Sequence, residues 1–226
     1  MLFLECMTNK TALIIGANGL VGEATVKQLL QSQHYSKVIA LTRKPLAINN
    51  SKFENPVVNF DRPEQYNKIK ADDVYCAMGT TITKAGSQAA FRKVDYEIPM
   101  QVANWALQNG ATQFILVSSL GADAKSAVFY SRTKGELEEA LKALSYKSLL
   151  VFRPSILLGD RKEKRTGEAI GRFVAEKLSF LFAGPLGKYK GTPATLLSAA
   201  MIKLANEGNT GTRIIENDEI FRIAEK

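Results

Sequence analysis

Apolar positions along the chain follow two rhythms in turn. Short runs of consecutive apolar residues recur, and most are followed by longer stretches where apolar residues return every three or four positions. The runs read as strands buried on both faces, and the stretches as helices with one covered face. The first run, residues 12–15, precedes a helix over roughly 20–31. Residues 37–42, 57–60 and 73–78 read as the second, third and fourth strands. Residues 82–92 are mostly small and polar and read as a loop or helical turn. Pro99 suits the first position of a helix that runs to Asn109 and stops at Gly110. Met100, Ala103, Trp105, Ala106 and Leu107 give that helix a core face. Residues 113–118 form the fifth strand and 148–152 the sixth. Between them a helix over 129–144 carries Leu137, Leu141 and Leu144 on one stripe.

This alternation predicts an α/β fold, a parallel sheet wound with helices on both faces. Right-handed crossovers then place ligands beyond the carboxyl ends of the strands. After Ser155 the rhythm loosens. The pattern there predicts a helix over 168–182, a break at Gly184-Pro185-Leu186-Gly187, a helix over 193–206, a strand over 212–216 and a short terminal helix. The expected organisation is one domain over 1–226, with about 155–226 forming a small elaboration on the substrate side.

The turn after the first strand carries candidate chemistry. Gly16, Gly19 and Gly22 follow it with the spacing G-x-x-G-x-x-G. Gly16 permits a tight turn, Gly19 lets a phosphate approach the backbone, and Gly22 lets the helix pack close to the sheet. Asn18, Leu20 and Val21 complete a cradle whose helix amides and dipole face a pyrophosphate. The expectation is a Rossmann-type dinucleotide site. NAD-specific sites place a carboxylate near the end of the second strand, but here Thr42, Arg43 and Lys44 stand there. Arg43 can pair with a 2′-phosphate that a carboxylate would repel, so the expected cofactor is NADP(H). Asp61, past the third strand, is placed to accept from the adenine amino group. Met78 and Gly79, past the fourth, are placed close to the cofactor.

Tyr130 and Lys134 lie four apart in a predicted helix, hence on one face. An ammonium beside a phenol favours the phenolate, which makes the tyrosine a usable proton donor and acceptor. Ser118 and Ser119, ending the fifth strand, both qualify by position to hydrogen-bond the reacting oxygen. Ser119, Tyr130 and Lys134 form the candidate catalytic set, and Ser118, Tyr130 and Lys134 also count as cofactor contacts. The one histidine, His34, near the end of the first helix, reads as a solvated or capping residue, so a Ser-His-Asp site lacks a candidate base.

Composition narrows this picture only a little. Of the 226 residues, 46% are hydrophobic and 23% charged, which is ordinary for a soluble globular protein. The net charge of +8 suits an anionic partner. The basic residues are dispersed, apart from Arg161-Lys162-Glu163-Lys164-Arg165, so a nucleic-acid role is not expected. Cys6 and Cys76 make neither a disulfide framework nor a metal-ligand spacing, and no metal is expected. No apolar run approaches the roughly 20 residues that span a bilayer. Met1-Leu2-Phe3-Leu4 is too short for a signal peptide's apolar region. The expected location is the cytoplasm, with no membrane insertion.

Taken together, the glycine turn, Val117-Ser118-Ser119 and Tyr130-Ser131-Arg132-Thr133-Lys134 resemble a short-chain dehydrogenase/reductase of the atypical kind. More narrowly, the chain resembles the oxidoreductases related to the eukaryotic Tat-interactive protein. That likeness is carried by Gly79-Thr80-Thr81 with Lys84-Ala85-Gly86, Val94-Asp95, Ser118-Ser119-Leu120-Gly121-Ala122 and Lys134-Gly135-Glu136. Phe152-Arg153-Pro154, Leu158-Gly159-Asp160-Arg161 and Gly167-Glu168 extend it, so it spans about residues 10–205. It implies a Rossmann fold, NADP(H) and the Ser, Tyr, Lys set, with Ser119 favoured as the serine. Arg161 and Arg165 would be either substrate-side charges or part of a solvated loop. Two function classes follow. One is an NADPH-dependent reductase acting on a small-molecule carbonyl. The other is an NADPH-binding sensor acting through a protein partner. An epimerase or dehydratase with tightly held cofactor is a third, weaker reading.

Overall fold

The computed structural model describes residues 9–159 and 189–225. Its centre is a seven-stranded sheet. The strands are β1 (Lys10–Ile15), β2 (Tyr35–Leu41), β3 (Phe53–Glu54), β4 (Asp73–Cys76), β5 (Gln113–Val117), β6 (Ser148–Arg153) and β9 (Gly211–Glu216). They are ordered β3-β2-β1-β4-β5-β6-β9. Every pairing is parallel. The direction of winding reverses between β1 and β4, so the crevice at their carboxyl ends is the topological switch point. A separate pair joins β7 (Leu157–Leu158) to β8 (Thr192–Pro193).

Because side chains alternate along a strand, each central strand feeds two cores. Ala12 and Ile14 face one side with Tyr75, Ile115 and Phe152. Helix α1 (Leu20–Gln31), α6 (Ala194–Ala205) and α7 (Asn217–Ala224) cover that side through Val26, Leu29, Leu197, Met201 and Ile220. Leu13 and Ile15 face the other side with Cys76, Leu116 and Val151. There α4 (Ile98–Gln108) and α5 (Phe129–Lys142) supply Val102, Trp105, Leu137 and Leu141. Residues apolar on both faces are why the strands read as unbroken runs.

The third strand differs from its expected place. Residues 57–60 do not form it; the ladder with β2 lies at Phe53–Glu54, and Val57 makes a single bridge to Thr42. Asn55 and Pro56 explain the shift. The Asn55 amide donates to the Ala40 carbonyl at 2.7 Å and to Thr42 Oγ1 at 2.8 Å, while Pro56 has no N–H for a ladder. Val58 and Phe60 are buried all the same, packed on the face that holds Ile39 and Leu41.

Residues 82–92 hold two short helices, α2 (Ile82–Ala85) and α3 (Gln88–Arg92). Thr81 and Ser87 cap them by accepting from the amides of Lys84 and Ala90, each at 3.1 Å. From α3 the chain stays helical through a π-turn, Lys93–Glu97, into α4. Pro99 therefore lies inside a longer helix instead of opening one. It cannot donate to the carbonyl four residues back, and the helix widens just ahead of it.

Candidate active site

The glycine turn closes tightly on the protein itself. Gly16 has φ +84°, and a Cβ there would stand 2.5 Å from the Ala77 carbonyl group. A Cβ on Gly22 would stand 2.1 Å from the Gly16 oxygen. Gly16 is demanded by backbone packing against the exit of β4, and Gly22 by packing of the helix against the turn itself. Gly19 is different. It is exposed, and a Cβ there would meet only the Gly16 oxygen at 3.3 Å and the Ala77 oxygen at 4.0 Å. Gly19 caps α1 with no side chain, so no side-chain hydrogen bond satisfies the first turn over Leu20 and Val21. Asn18 beside it is exposed. This donor set fits a pyrophosphate, with uncommitted amides, the positive end of a twelve-residue helix and no Cβ in the way.

Arg43 stands just past β2, exposed and without a hydrogen bond or ion pair to any described residue. Thr42 fixes the turn beneath it, donating from Oγ1 to the Lys44 carbonyl at 2.7 Å. Asp61 is exposed and pairs with Lys93 at 2.7 Å. Met78 and Gly79 follow β4 at the switch point. His34 is exposed, and its amide donates to Ser32 Oγ at 3.2 Å.

The proton-handling side is built on α5. Tyr130 is half-buried, and its ring lies 5.6 Å from that of Phe91 in α3. Lys134 is buried at 4% side-chain exposure and pairs with Asp95, which is fully buried, at 2.7 Å. Asp95 also accepts from the Thr80 amide at 2.9 Å. Burial pulls the Lys134 ammonium down, but the Asp95 charge, helped by Tyr130 and the Asp95 hydrogen bond, outweighs it and holds Lys134 above the ordinary lysine value. A Cβ on Gly79 would lie 3.6 Å from Asp95 and 3.8 Å from Lys134, so the pair sits directly beside the chain that leaves β4.

The two serines separate. The Ser118 hydroxyl is buried and donates to Glu138 at 2.5 Å. Glu138 is gripped by Arg153 through Nε at 3.1 Å and Nη2 at 2.6 Å, and Arg153 also reaches Glu216 at 3.1 Å. Hydrogen bonding to Glu138, against the pull of burial, raises Arg153 further above its ordinary range. Ser119 is half-buried, and its hydroxyl makes only a 3.3 Å contact to the Leu120 carbonyl. The loop after it returns to α5, where the Asp123 amide donates to the Ser131 carbonyl at 3.1 Å. Gly135 makes this possible, since a Cβ there would stand 2.1 Å from the Ala124 nitrogen.

Phe91, Asp95, Glu138 and Gly135 have no individual role in the sequence reading. A signal for Asp95 exists: Phe91, Asp95, Ile98 and Val102 are spaced as one helical stripe, and an aspartate in an apolar stripe needs a buried partner. Reading 82–92 as loop hides the stripe. Arg161, Arg165 and the helix expected over 168–182 lie outside the described residues. Among the described residues no group of histidines, cysteines or acids could hold a metal.

A family model described as NAD(P)H-binding matches residues 16–164, from the glycine turn past β6. The chain belongs to this NAD(P)H-binding family. The likeness to the Tat-interactive group holds as well. The chain is 33% identical to Protein HTATIP2 of Rattus norvegicus, over 96% of this chain and 90% of that one. It is also 33% identical to Protein FMP52, mitochondrial, of Candida albicans, over 93% of this chain and 96% of that one. Among solved structures it resembles a human epimerase family protein, SDR39U1, determined with NADPH. There the TM-score is 0.62 at 14% identity, covering 92% of this chain and 73% of that one. The protein therefore has the short-chain dehydrogenase/reductase fold. The expected cytoplasmic location does not stand, because FMP52 relatives that match over most of the chain are named mitochondrial. The short apolar start at Met1-Leu2-Phe3-Leu4 says nothing against such a destination. No helix among the described residues is long and apolar enough to cross a membrane.

Proposed function

We propose that the protein is an NADP(H)-dependent oxidoreductase moving hydride to or from a small-molecule carbonyl or alcohol, with Tyr130 passing the matching proton. The observation that carries this reading is the face of α5. Tyr130 and a charged, buried Lys134 lie one turn apart on that helix, and Lys134 lies under Gly79, at the switch point that also holds the glycine turn. A bound nicotinamide would supply or accept the hydride. Tyr130 gives its hydroxyl proton to the substrate oxygen or takes it back, with the Lys134 ammonium one turn away on the same helix face. Ser119 is assigned to the substrate oxygen, because the Ser118 hydroxyl is committed to Glu138. Ser118 then lines the cofactor side and holds the strand end in place.

Arg43 supports NADP over NAD: it is an uncommitted, exposed guanidinium where an NAD site would carry a carboxylate. Asp61 is assigned to accept from the adenine amino group, with Lys93 balancing its charge.

The test is NADPH oxidation by purified protein across a panel of aldehydes and ketones. Turnover is expected, and Tyr130→Phe should lower it by about 10²–10⁴-fold while weakening NADPH binding far less. Full turnover by the Tyr130→Phe variant would remove the proposed acid. If no carbonyl is reduced, and a protein partner is held in an NADPH-dependent way that ignores Tyr130→Phe, the sensor reading replaces this one.

A further inference from the structure

We propose that Asp95 is a positioning residue of this site: it holds Lys134 as a fixed, permanently charged ammonium, while Phe91, one turn earlier, holds Tyr130. The geometry is a match of two helical pairs. Phe91 and Asp95 are four apart on the α3 to π-turn segment, and Tyr130 and Lys134 are four apart on α5. Phe91 lies against Tyr130, with ring centroids 5.6 Å apart and planes inclined by 49°. Asp95 meets Lys134 at 2.7 Å. Phe91 and Asp95 are both fully buried, so each is committed to this contact and not to solvent.

The physical need for Asp95 follows from the burial of Lys134. An ammonium taken out of water without a counter-charge sheds its proton. The groups facing Lys134 are Asp95 from the π-turn, Tyr130 from its own helix and Cys76 from β4. Cys76 is no counter-charge, since burial pushes its thiol up to about 11. Asp95 therefore supplies the balancing charge. It is itself fixed from behind by the Thr80 amide at 2.9 Å. Asp95 lies in the π-turn, in the same buried stripe as Phe91, Ile98 and Val102. The consequence rests on the oxidoreductase reading. Lys134 presents a constant positive charge to Tyr130 across the working pH range, and the pair as a whole is neutral, which suits a dry site.

The test needs no turnover. Protein carrying [ε-¹³C]lysine is followed by NMR through a pH titration, with Lys134→Arg used to assign the Lys134 signal. In the wild type that signal should remain on the ammonium side when the exposed lysines are half titrated. In Asp95→Asn its midpoint should fall at least about one pH unit below that of the exposed lysines. A midpoint unchanged by Asp95→Asn overturns the proposal. If Asp95→Asn does not fold, Lys134→Met combined with Asp95→Asn should restore a cooperative urea unfolding transition, because no buried charge is left unbalanced. A double variant that also fails to fold, while Lys134→Met alone folds, would overturn the pairing. A protein that passes either test but reduces no carbonyl keeps its Asp95–Lys134 pair and loses the reductase reading. A working reductase with an unchanged titration does the reverse.

Discussion

Two lysine–aspartate pairs stand at opposite ends of one sheet, and they do different things. At the amino end, Lys10 meets Asp73 at 3.1 Å. The same ammonium donates to the Ala205 carbonyl at 3.2 Å and to Asn206 at 3.1 Å, which uses all three of its protons. Asp73 also accepts from the Tyr35 hydroxyl at 2.6 Å, and Tyr35 shares a 2.8 Å hydrogen bond with Tyr75. Every partner is protein, and the network ties β1, β2 and β4 to the end of α6. At the carboxyl end, Lys134 has Asp95 as its one hydrogen-bonding or ion-pairing partner among the described residues, so two of its protons are uncommitted. A closed set of donors is a clasp, whereas a buried charge with donors to spare, under a glycine at the switch point, is equipped to meet a ligand.

Mirrored substitutions give the largest effect. Lys134→Met should lower NADPH-dependent turnover by about 10²-fold or more. Lys10→Met should leave turnover alone and lower stability to urea by about 1–3 kcal/mol, because Asp73 loses a buried partner. Equal losses of turnover in the two variants would erase the distinction between the ends.

A second contrast runs along β2, which has a basic residue near each end. Arg43 is uncommitted past the carboxyl end, whereas Lys37, near the amino end, pairs with Glu54 at 2.7 Å, both well exposed. Arg43→Ala should weaken NADPH binding by roughly ten- to a hundredfold, the worth of a charged hydrogen-bond pair, and NADH binding far less. Lys37→Ala should change neither, since an exposed pair contributes about 0–1 kcal/mol of stability and nothing to the site. Titration with each nucleotide separates these outcomes. Equal losses for NADPH and NADH in Arg43→Ala would remove the 2′-phosphate assignment.

The same contrast explains what could be read from the residues alone. Strands apolar on both faces declare themselves, and so does a glycine turn between a strand and a helix. The α1 bounds expected from the pattern, 20–31, are the observed ones. Tyr130 and Lys134 show a shared face by spacing. Their support does not show, because Asp95 reaches Lys134 across 39 positions of chain through a π-turn that no local pattern announces. Arg153 and Glu138 show a related difficulty: each looks like a surface charge until the fold turns Glu138 onto Ser118 and Arg153 onto Glu138. The third strand was misplaced because Val57, Val58 and Phe60 look like a strand, while Asn55 and Pro56 take away the ladder.

The smallest predicted effect is a pH signature that marks the two pairs separately. Burial raises the Asp73 carboxyl above its ordinary value of 3.8, with Tyr35 and Lys10 opposing the rise incompletely. Just above that pH the folded protein keeps a proton the unfolded chain has released. Its contribution to stability is complete below 3.8 and is lost as pH rises through the folded value. Lys134 is also raised, from 10.5, so its contribution is complete below 10.5 and is lost as pH rises beyond it. Both contributions decline with rising pH, but in windows at opposite ends of the scale. Asp73→Asn removes the titrating group while leaving an acceptor for Tyr35. The stability difference between wild type and this variant should therefore shrink as pH rises through the acid window, and stay level on the alkaline side as far as Asp73 is concerned. Urea unfolding of both proteins at matched pH values measures it. An acid-side difference independent of pH would mean that Asp73 is not held protonated by burial, and the amino-end clasp would then be an ordinary ion pair.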